Sequence, residues 1–248
     1  MTKNSESGHI RNVTNFESLI SFITSSGVDY KPAKPSLSLE AMQSLFTTAK
    51  DALTGLKQAE SECATATFER KRLFDTLSPR ITRVYSALRS SDSAKEADES
   101  ALHLVRKLRG QRVSTLLTDE EKAALEAEGK SVRQISSSQM SFDTRLDNFD
   151  KLVHLLSAIP QYVPNEADLS IDGLRAFYNE LSARNTAVID AEGKLEAART
   201  HRFNVLYSPL NGLVDVGTDA KTYIKAIGGA SSPLYKKVTK LIFRNYKK

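Results

Sequence analysis

Tryptophan is absent from the 248 residues, and aromatic side chains make up only 7% of them. That scarcity argues against a large aromatic ligand pocket or a base-stacking platform. A single cysteine, Cys63, excludes an intramolecular disulfide and leaves no cysteine cluster for a metal. Seven prolines and eleven glycines are few for this length, and they gather where helices should begin or end. No apolar run approaches the roughly 18 residues of a membrane span. Residues 1–8 lack the apolar stretch of a secretory signal. A soluble cytoplasmic protein is the expectation, although export without such a signal would leave no mark on the sequence. One sequon, Asn12-Val13-Thr14, is present, of a kind that arises readily by chance.

Catalytic patterns are equally scarce. His9, His103, His154 and His201 are scattered. Di-metal bundles use paired Glu-x-x-His spacings on facing helices, and the one spacing of that kind, Glu6 to His9, has no second copy. Glu99 and His103 share a helical face and read as a solvated surface pair. No P-loop, Gly-x-Gly-x-x-Gly or Gly-x-Ser-x-Gly pattern occurs. Cys63 sits on an apolar stripe, as a small core residue rather than an activated nucleophile. The expectation is a non-enzymatic protein with no catalytic residue, cofactor or metal ion.

What the chain does contain is an echo of itself. Tyr30-Lys31-Pro32 followed by Leu37-Ser38-Leu39 returns 132 residues later as Tyr162-Val163-Pro164 and Leu169-Ser170-Ile171. Asn15-Phe16-Glu17-Ser18-Leu19 matches Asn148-Phe149-Asp150-Lys151-Leu152 after a one-residue gap. Between these landmarks and the two Ser-Pro steps, Ser78-Pro79 and Ser208-Pro209, the apolar stripes align position by position. Leu39, Met42, Leu45 and Ala49 face Ile171, Leu174, Phe177 and Leu181. Leu53, Leu56, Ala59 and Cys63 then face Asn185, Val188, Ala191 and Leu195. A duplication explains this better than chance.

Each stripe places eleven positions over 34 residues, a spacing close to the heptad value, which argues for long helices packed at shallow angles. A helix from Ser38 to Leu77 would run roughly 60 Å, too long for a compact globule. The expected fold is all-α: an elongated antiparallel bundle with long coiled-coil-like helices in two homologous repeats. The expected division is a flexible tail over 1–12, repeat one over 13–110 and a connecting segment with a short helix over 111–140. Repeat two then covers 141–231, and a basic tail covers 232–248.

Boundary residues refine this reading. Thr14 with Glu17 suits a capping box for a short helix over 14–26 that Gly27 ends. Ser38 and Ser170 can cap the long helices. Ser78-Pro79, Ser208-Pro209 and Ser232-Pro233 each suit a helix start, and Gly228-Gly229 a stop. The polar stretch Ser90–Ser100 divides one helix or separates two, with Gly110 as the end. Thr118 with Glu121 suits a further short helix to Glu128, and Val132–Ile135 an extended link.

Two arginines interrupt the stripes at the same slot, Arg70 and Arg202. Each either extends its head to solvent over a packed stem or reaches a neighbouring helix and sets its register. Asn185, in the slot of Leu53, poses the same alternatives. Tyr30 and Tyr162, each just before an X-Pro step, suit clasps that pack the loop onto the bundle.

Charge is concentrated at one end. Beyond Asp219 there is no acidic residue, while eight of the 35 basic residues fall there; the remainder holds 27 basic against 30 acidic groups. A mildly acidic body thus carries a basic C-terminal segment. As a helix over 233–247, it would gather Leu234, Val238, Leu241, Ile242 and Tyr246 on one face. Lys236, Lys237, Lys240, Arg244 and Lys247 would lie on the other, with Lys248 following. Such a helix can dock on the bundle, or bind membranes or partner helices; the β-prone run Lys237–Phe243 can instead add a strand to a neighbour.

Ser138-Gln139-Met140-Ser141-Phe142-Asp143, Asn148-Phe149-Asp150-Lys151-Leu152, Leu213-Val214-Asp215-Val216 and Gly229-Ala230-Ser231-Ser232-Pro233-Leu234-Tyr235-Lys236 carry a family likeness. Across most of its length the chain resembles a group of internally repeated helical proteins from Bacteroidota bacteria with no assigned activity. That resemblance implies a bacterial, intracellular origin and transfers no functional residue. The functional expectation is a helical scaffold or interaction protein that forms homo-oligomers or filaments or binds other proteins, with no small-molecule substrate. The alternative is an electrostatic binder whose basic tail engages nucleic acid or an anionic membrane. A helical pore former would need an apolar insertion segment, which is missing.

Overall fold

The computed structural model describes residues 4–111 and 140–246. Among them, all regular structure is helical: α1 (Asn4–Ser25), a 3-10 turn (Pro35–Leu37), α2 (Leu39–Asp75), α3 (Leu77–Arg89) and α4 (Lys95–Leu108), then α5 (Phe142–Ser157), α6 (Ile171–Tyr207), α7 (Leu213–Gly228) and α8 (Pro233–Val238). The short helix expected over Thr118–Glu128 and the link beyond it lie outside the described residues.

Local chemistry accounts for most boundaries. Ser38 Oγ accepts from Ala41 N at 3.2 Å and Ser170 Oγ from Gly173 N at 3.1 Å, so both long helices open on serine caps. Gly27 and Gly110 end their helices at φ +65° and +68°, a conformation that suits glycine best. The polar stretch separates two helices, α3 and α4, broken over residues 90–94.

Three boundaries differ from the sequence reading. Residues 4–12, expected as a flexible tail, form the opening turns of α1, because His9 and Asn12 continue the buried stripe of Val13, Phe16, Leu19, Ile20 and Ile23. Thr14 is therefore interior to a helix and caps nothing. Ser78-Pro79 lies inside the first turn of α3, where proline's missing N–H has no helical partner to lose. After Ser208-Pro209 the chain turns through Leu210, at φ 70°, and α7 begins only after Gly212. Asp215 sets that delay by accepting Leu210 N at 2.9 Å.

The chain forms two compact units, Met1–Ala64 with Ala191–Lys248, and Thr65–Asp190. These bounds differ from the expected division at 13–110 and 141–231. The reason lies in α2 and α6, each of which supplies apolar residues to both units. In the first, Phe16, Leu19, Met42, Leu206, Leu213, Ala220 and Val238 form the core. In the second, Phe74, Leu77, Ile81, Leu88, Leu108, Phe149 and Leu174 do so.

The two tyrosine clasps form as expected. Tyr162 is buried and donates its hydroxyl to Leu169 O at 2.9 Å. Tyr30 lies edge-on to Tyr223 at 5.2 Å, its hydroxyl 3.7 Å from Met42 Sδ. Burial, aided by Tyr223 at the first and by Glu166 and Asp168 at the second, pushes both phenols up to about 12. The unfolded phenol titrates near 10. The stability these groups contribute is therefore complete below about pH 10 and is lost as pH rises through about 12. Tyr162→Phe should cost about 1–3 kcal/mol at neutral pH by leaving the Leu169 carbonyl without its partner. It should also lessen the loss of stability above pH 10, and urea melts at neutral and alkaline pH check both.

Candidate functional site

The C-terminal segment belongs to the first unit. Ser232 Oγ accepts from Tyr235 N, Pro233 occupies the first helical position, and α8 ends at Val238. The expected helix over 233–247 is thus cut to six residues, and residues 241–246 pair with no strand of their own chain. Leu234 and Val238 anchor α8 in the core. After a turn closed by Leu241 N on Val238 O, residues 241–246 carry no regular structure.

Side chains of other helices supply the backbone partners this segment lacks. Asn12 Oδ1 accepts from Arg244 N at 3.0 Å, while Asn12 Nδ2 donates to Arg244 O at 2.7 Å. The side-chain amide of α1 therefore pairs with a backbone residue as a neighbouring strand would. Asn15 Nδ2 donates to Ile242 O at 2.8 Å, and Lys221 Nζ, from α7, to Leu241 O at 2.7 Å. Burial lowers the Lys221 pKa.

Aromatic side chains fix the register. Phe243 lies edge-on to Phe16 at 6.4 Å and against Gly217, where an added Cβ would stand 2.7 Å from its ring. Tyr246 lies edge-on to His9 at 5.1 Å and against Gly8, where an added Cβ would stand 2.0 Å from its hydroxyl. His9 Nδ1 is hydrogen-bonded to Tyr207 Oη at 2.5 Å, and that oxygen also accepts from Asn12 Nδ2 at 3.2 Å. Asn12 is buried and bonded through both amide atoms, so its sequon leaves no room for a glycan in this fold.

The structure gathers four of the expected interaction residues on this segment. Lys236, Lys237, Lys240 and Arg244 are exposed, whereas Lys247 and Lys248 lie outside the described residues. The expected apolar face is redrawn: Ile242 is 58% exposed, and Phe243 turns inward.

The register-setting candidates take their places separately. Arg70 Nη1 donates to Asn185 Oδ1 at 3.1 Å, and Asn185 Nδ2 donates to Asp143 Oδ1 at 2.7 Å. The Arg70 guanidinium stands 4.1 Å from the Phe142 ring centre. Two polar breaks in different stripes thus meet and tie α2 to α6 and α5. Glu69 and Arg184 form an ion pair beside them. Arg145 donates to Phe74 O at 2.8 Å, and burial lowers its pKa despite Asp75. Arg202, in the other unit, is buried rather than extended to solvent.

His9, Asn12, Asn15, Gly8, Gly217 and Lys221 escaped the sequence reading. Only the first two had a visible signal: with Phe16, Leu19 and Ile23 they keep a spacing of three or four residues, so polar groups extend the stripe toward the N-terminus.

Among the described residues, no group of three or more His, Cys, Asp or Glu side chains is placed to hold a metal, and no helix is long and apolar enough to cross a membrane. The fold and site define an all-helical protein whose own C-terminal segment fills a groove between helices. No protein-family model, curated protein or solved structure matches the chain.

Asn185→Leu, which installs the residue of the corresponding slot Leu53, should destabilise the chain by about 1–3 kcal/mol, because Arg70 and Asp143 lose their bridge. A double-mutant cycle with Arg70→Met should show coupling of about 0.5–3 kcal/mol in chemical denaturation.

Proposed function

We propose that the chain is an internally duplicated, non-enzymatic helical scaffold that assembles with further copies of itself. The observation that carries the duplication is the matching burial of corresponding positions. α2 and α6 each have 37 residues and begin 132 residues apart. Phe16, Leu19 and Ile23 are buried, as are Phe149, Leu152 and Leu156. Leu37, Met42, Ala49, Leu56 and Ala59 are buried, as are Leu169, Leu174, Leu181, Val188 and Ala191.

Unit composition supports the same reading. The first unit joins α1 and the opening of α2 to the end of α6 with α7 and α8. The second joins α5 and the opening of α6 to the end of α2 with α3 and α4. Each unit takes its first part from one half and its second part from the other, as a reciprocal exchange between two repeats would produce.

Self-assembly is supported by large apolar side chains held in water on regular helices. Phe68 on α2 is 65% exposed and Ile189 on α6 is 59% exposed, both in the second unit. Burying such groups against a second copy would be favourable by roughly 25 cal/mol per Å² of apolar surface. Sedimentation velocity of nuclease-treated protein should show oligomers that survive high salt and dissociate in Phe68→Glu/Ile189→Glu. A single monomeric species at both salts, at high concentration, would refute the assembly reading.

A second reading, an electrostatic binder of nucleic acid or anionic membranes, is favoured by the exposure of Lys236, Lys237, Lys240 and Arg244 within nine residues. Such binding should weaken steeply with salt and disappear in Lys236→Glu/Lys237→Glu/Lys240→Glu. Retention of binding by that variant would exclude this segment.

A further inference from the structure

The first unit has an opening that shares no residue with the seat of residues 241–246. It is a cleft of about 350 Å³ where the ends of α1 and α7 meet the start of α8. Ile224 and Leu234, both buried, form its floor, with Phe22 beside them. Val28 and Ile227 form its rim and are left 41% and 40% exposed.

The polar groups of the cleft divide into claimed and unclaimed. Ser25 Oγ donates to Phe22 O at 3.4 Å and Ser26 Oγ to Ile23 O at 2.7 Å, so both hydroxyl protons are taken by carbonyls of α1 itself. Ser232 Oγ accepts from Tyr235 N at 3.2 Å and keeps its proton. Lys237 is the one charged residue of the lining and makes no ion pair among the described residues. No acid lines the cleft, and Asp29, next to Val28, is held by Lys31 at 2.9 Å. Beyond Asp219 the chain has no acidic residue to offer. Apolar walls with two unclaimed donors, one of them cationic, match a ligand with a hydrocarbon body and an anionic end.

We propose that this cleft binds a free medium-chain fatty acid, its chain along Phe22, Ile224 and Ile227 and its carboxylate at Lys237 and Ser232. Ligand sites run from about 300 to 1,000 Å³. A cleft at the lower end of that range admits one short chain and not the paired tails of a membrane lipid. The chain would take Val28 and Ile227 out of water, which favours binding. The carboxylate would give Lys237 the charge-assisted partner that the protein itself withholds. An anionic membrane offers the same chemistry, and the test below separates the two sources. The site goes beyond the scaffold reading and does not rest on assembly through Phe68 and Ile189, which belong to the other unit.

NMR of isotope-labelled full-length protein, titrated with octanoate below its micelle-forming concentration, tests the site. Amide resonances of Phe22, Val28, Ile227 and Ser232 should shift to saturation. Lys237→Gln should weaken binding about tenfold through loss of a charge-assisted contact. Lys50→Gln, the same charge change at an exposed position of α2 outside the lining, should leave it unchanged. Octanol, with the same chain and no charge, should bind about tenfold more weakly than octanoate, and equally to the wild type and Lys237→Gln. Ile227→Glu, which sets a carboxylate on the exposed rim, should abolish octanoate binding while circular dichroism stays unchanged.

Octanol binding as tightly as octanoate, or Lys237→Gln behaving as the wild type, would overturn the carboxylate site. Shifts that are scattered over the surface and never saturate would overturn the cleft as a binding site. Flotation with phosphatidylglycerol vesicles, without a saturable response to octanoate, would also overturn it and leave the electrostatic reading standing alone.

Discussion

Two helices of 37 residues each have to serve two cores with one continuous stripe. α2 gives Met42 and Ala49 to the first core and Phe74 to the second, while α6 gives Leu174 and Leu181 to the second and Leu206 to the first. Each residue of an α-helix advances by about 100°, so within each unit the rotation of the long helix about its own axis decides which side chains are inward. The polar breaks make sense under that constraint. Arg70 bonds to Asn185 and Asn185 to Asp143 across three helices, and a rotation of either long helix would leave those groups apart. Polar contacts of this kind add little net stability, but a wrong register is expensive because it leaves them unmet.

The C-terminal segment solves a different problem. Its backbone has neither helix nor ladder, and a buried backbone group without a partner is costly. Side-chain amides on α1 and an ammonium on α7 take the place of a neighbouring strand. Glycines in both helices let aromatic rings approach the helix backbone, which any larger residue would prevent. The exposed lysines of the segment and its inward aromatics therefore perform separate jobs on the same short stretch.

Much of the helical architecture was legible because a long 3.6-residue stripe survives any uncertainty about its ends. The serine caps at Ser38, Ser170 and Ser232 and the stops at Gly27 and Gly110 were legible for the same local reason. What misled was polarity within a stripe. His9 and Asn12 read as tail residues because their burial depends on Tyr207 and Arg244, nearly two hundred and more than two hundred residues away. Ser-Pro steps misled in another way: proline is tolerated anywhere in the first turn, so Pro79 marks a helix start only to within a few residues. The seat of the C-terminal segment was invisible, since nothing local to Gly8 or Gly217 announces the ring that each admits. Likewise, the aligned apolar stripes do not reveal that each compact unit draws on both α2 and α6.

That interleaving bears on the order in which the molecule can take shape. Thr65–Asp190 is one uninterrupted stretch, whereas the other unit joins Met1–Ala64 to Ala191–Lys248. A ribosome delivers the chain from its N-terminus, so the uninterrupted unit has all its residues while the other still waits for its second half. Until then α1 and the opening of α2 must persist without Leu206, Leu213 and Val238 to cover Phe16, Leu19 and Met42. When the late residues emerge, they join partners whose separation in sequence has already been spanned by a folded body. The entropy of closing so long a loop is then met largely in advance, by the unit that folded first.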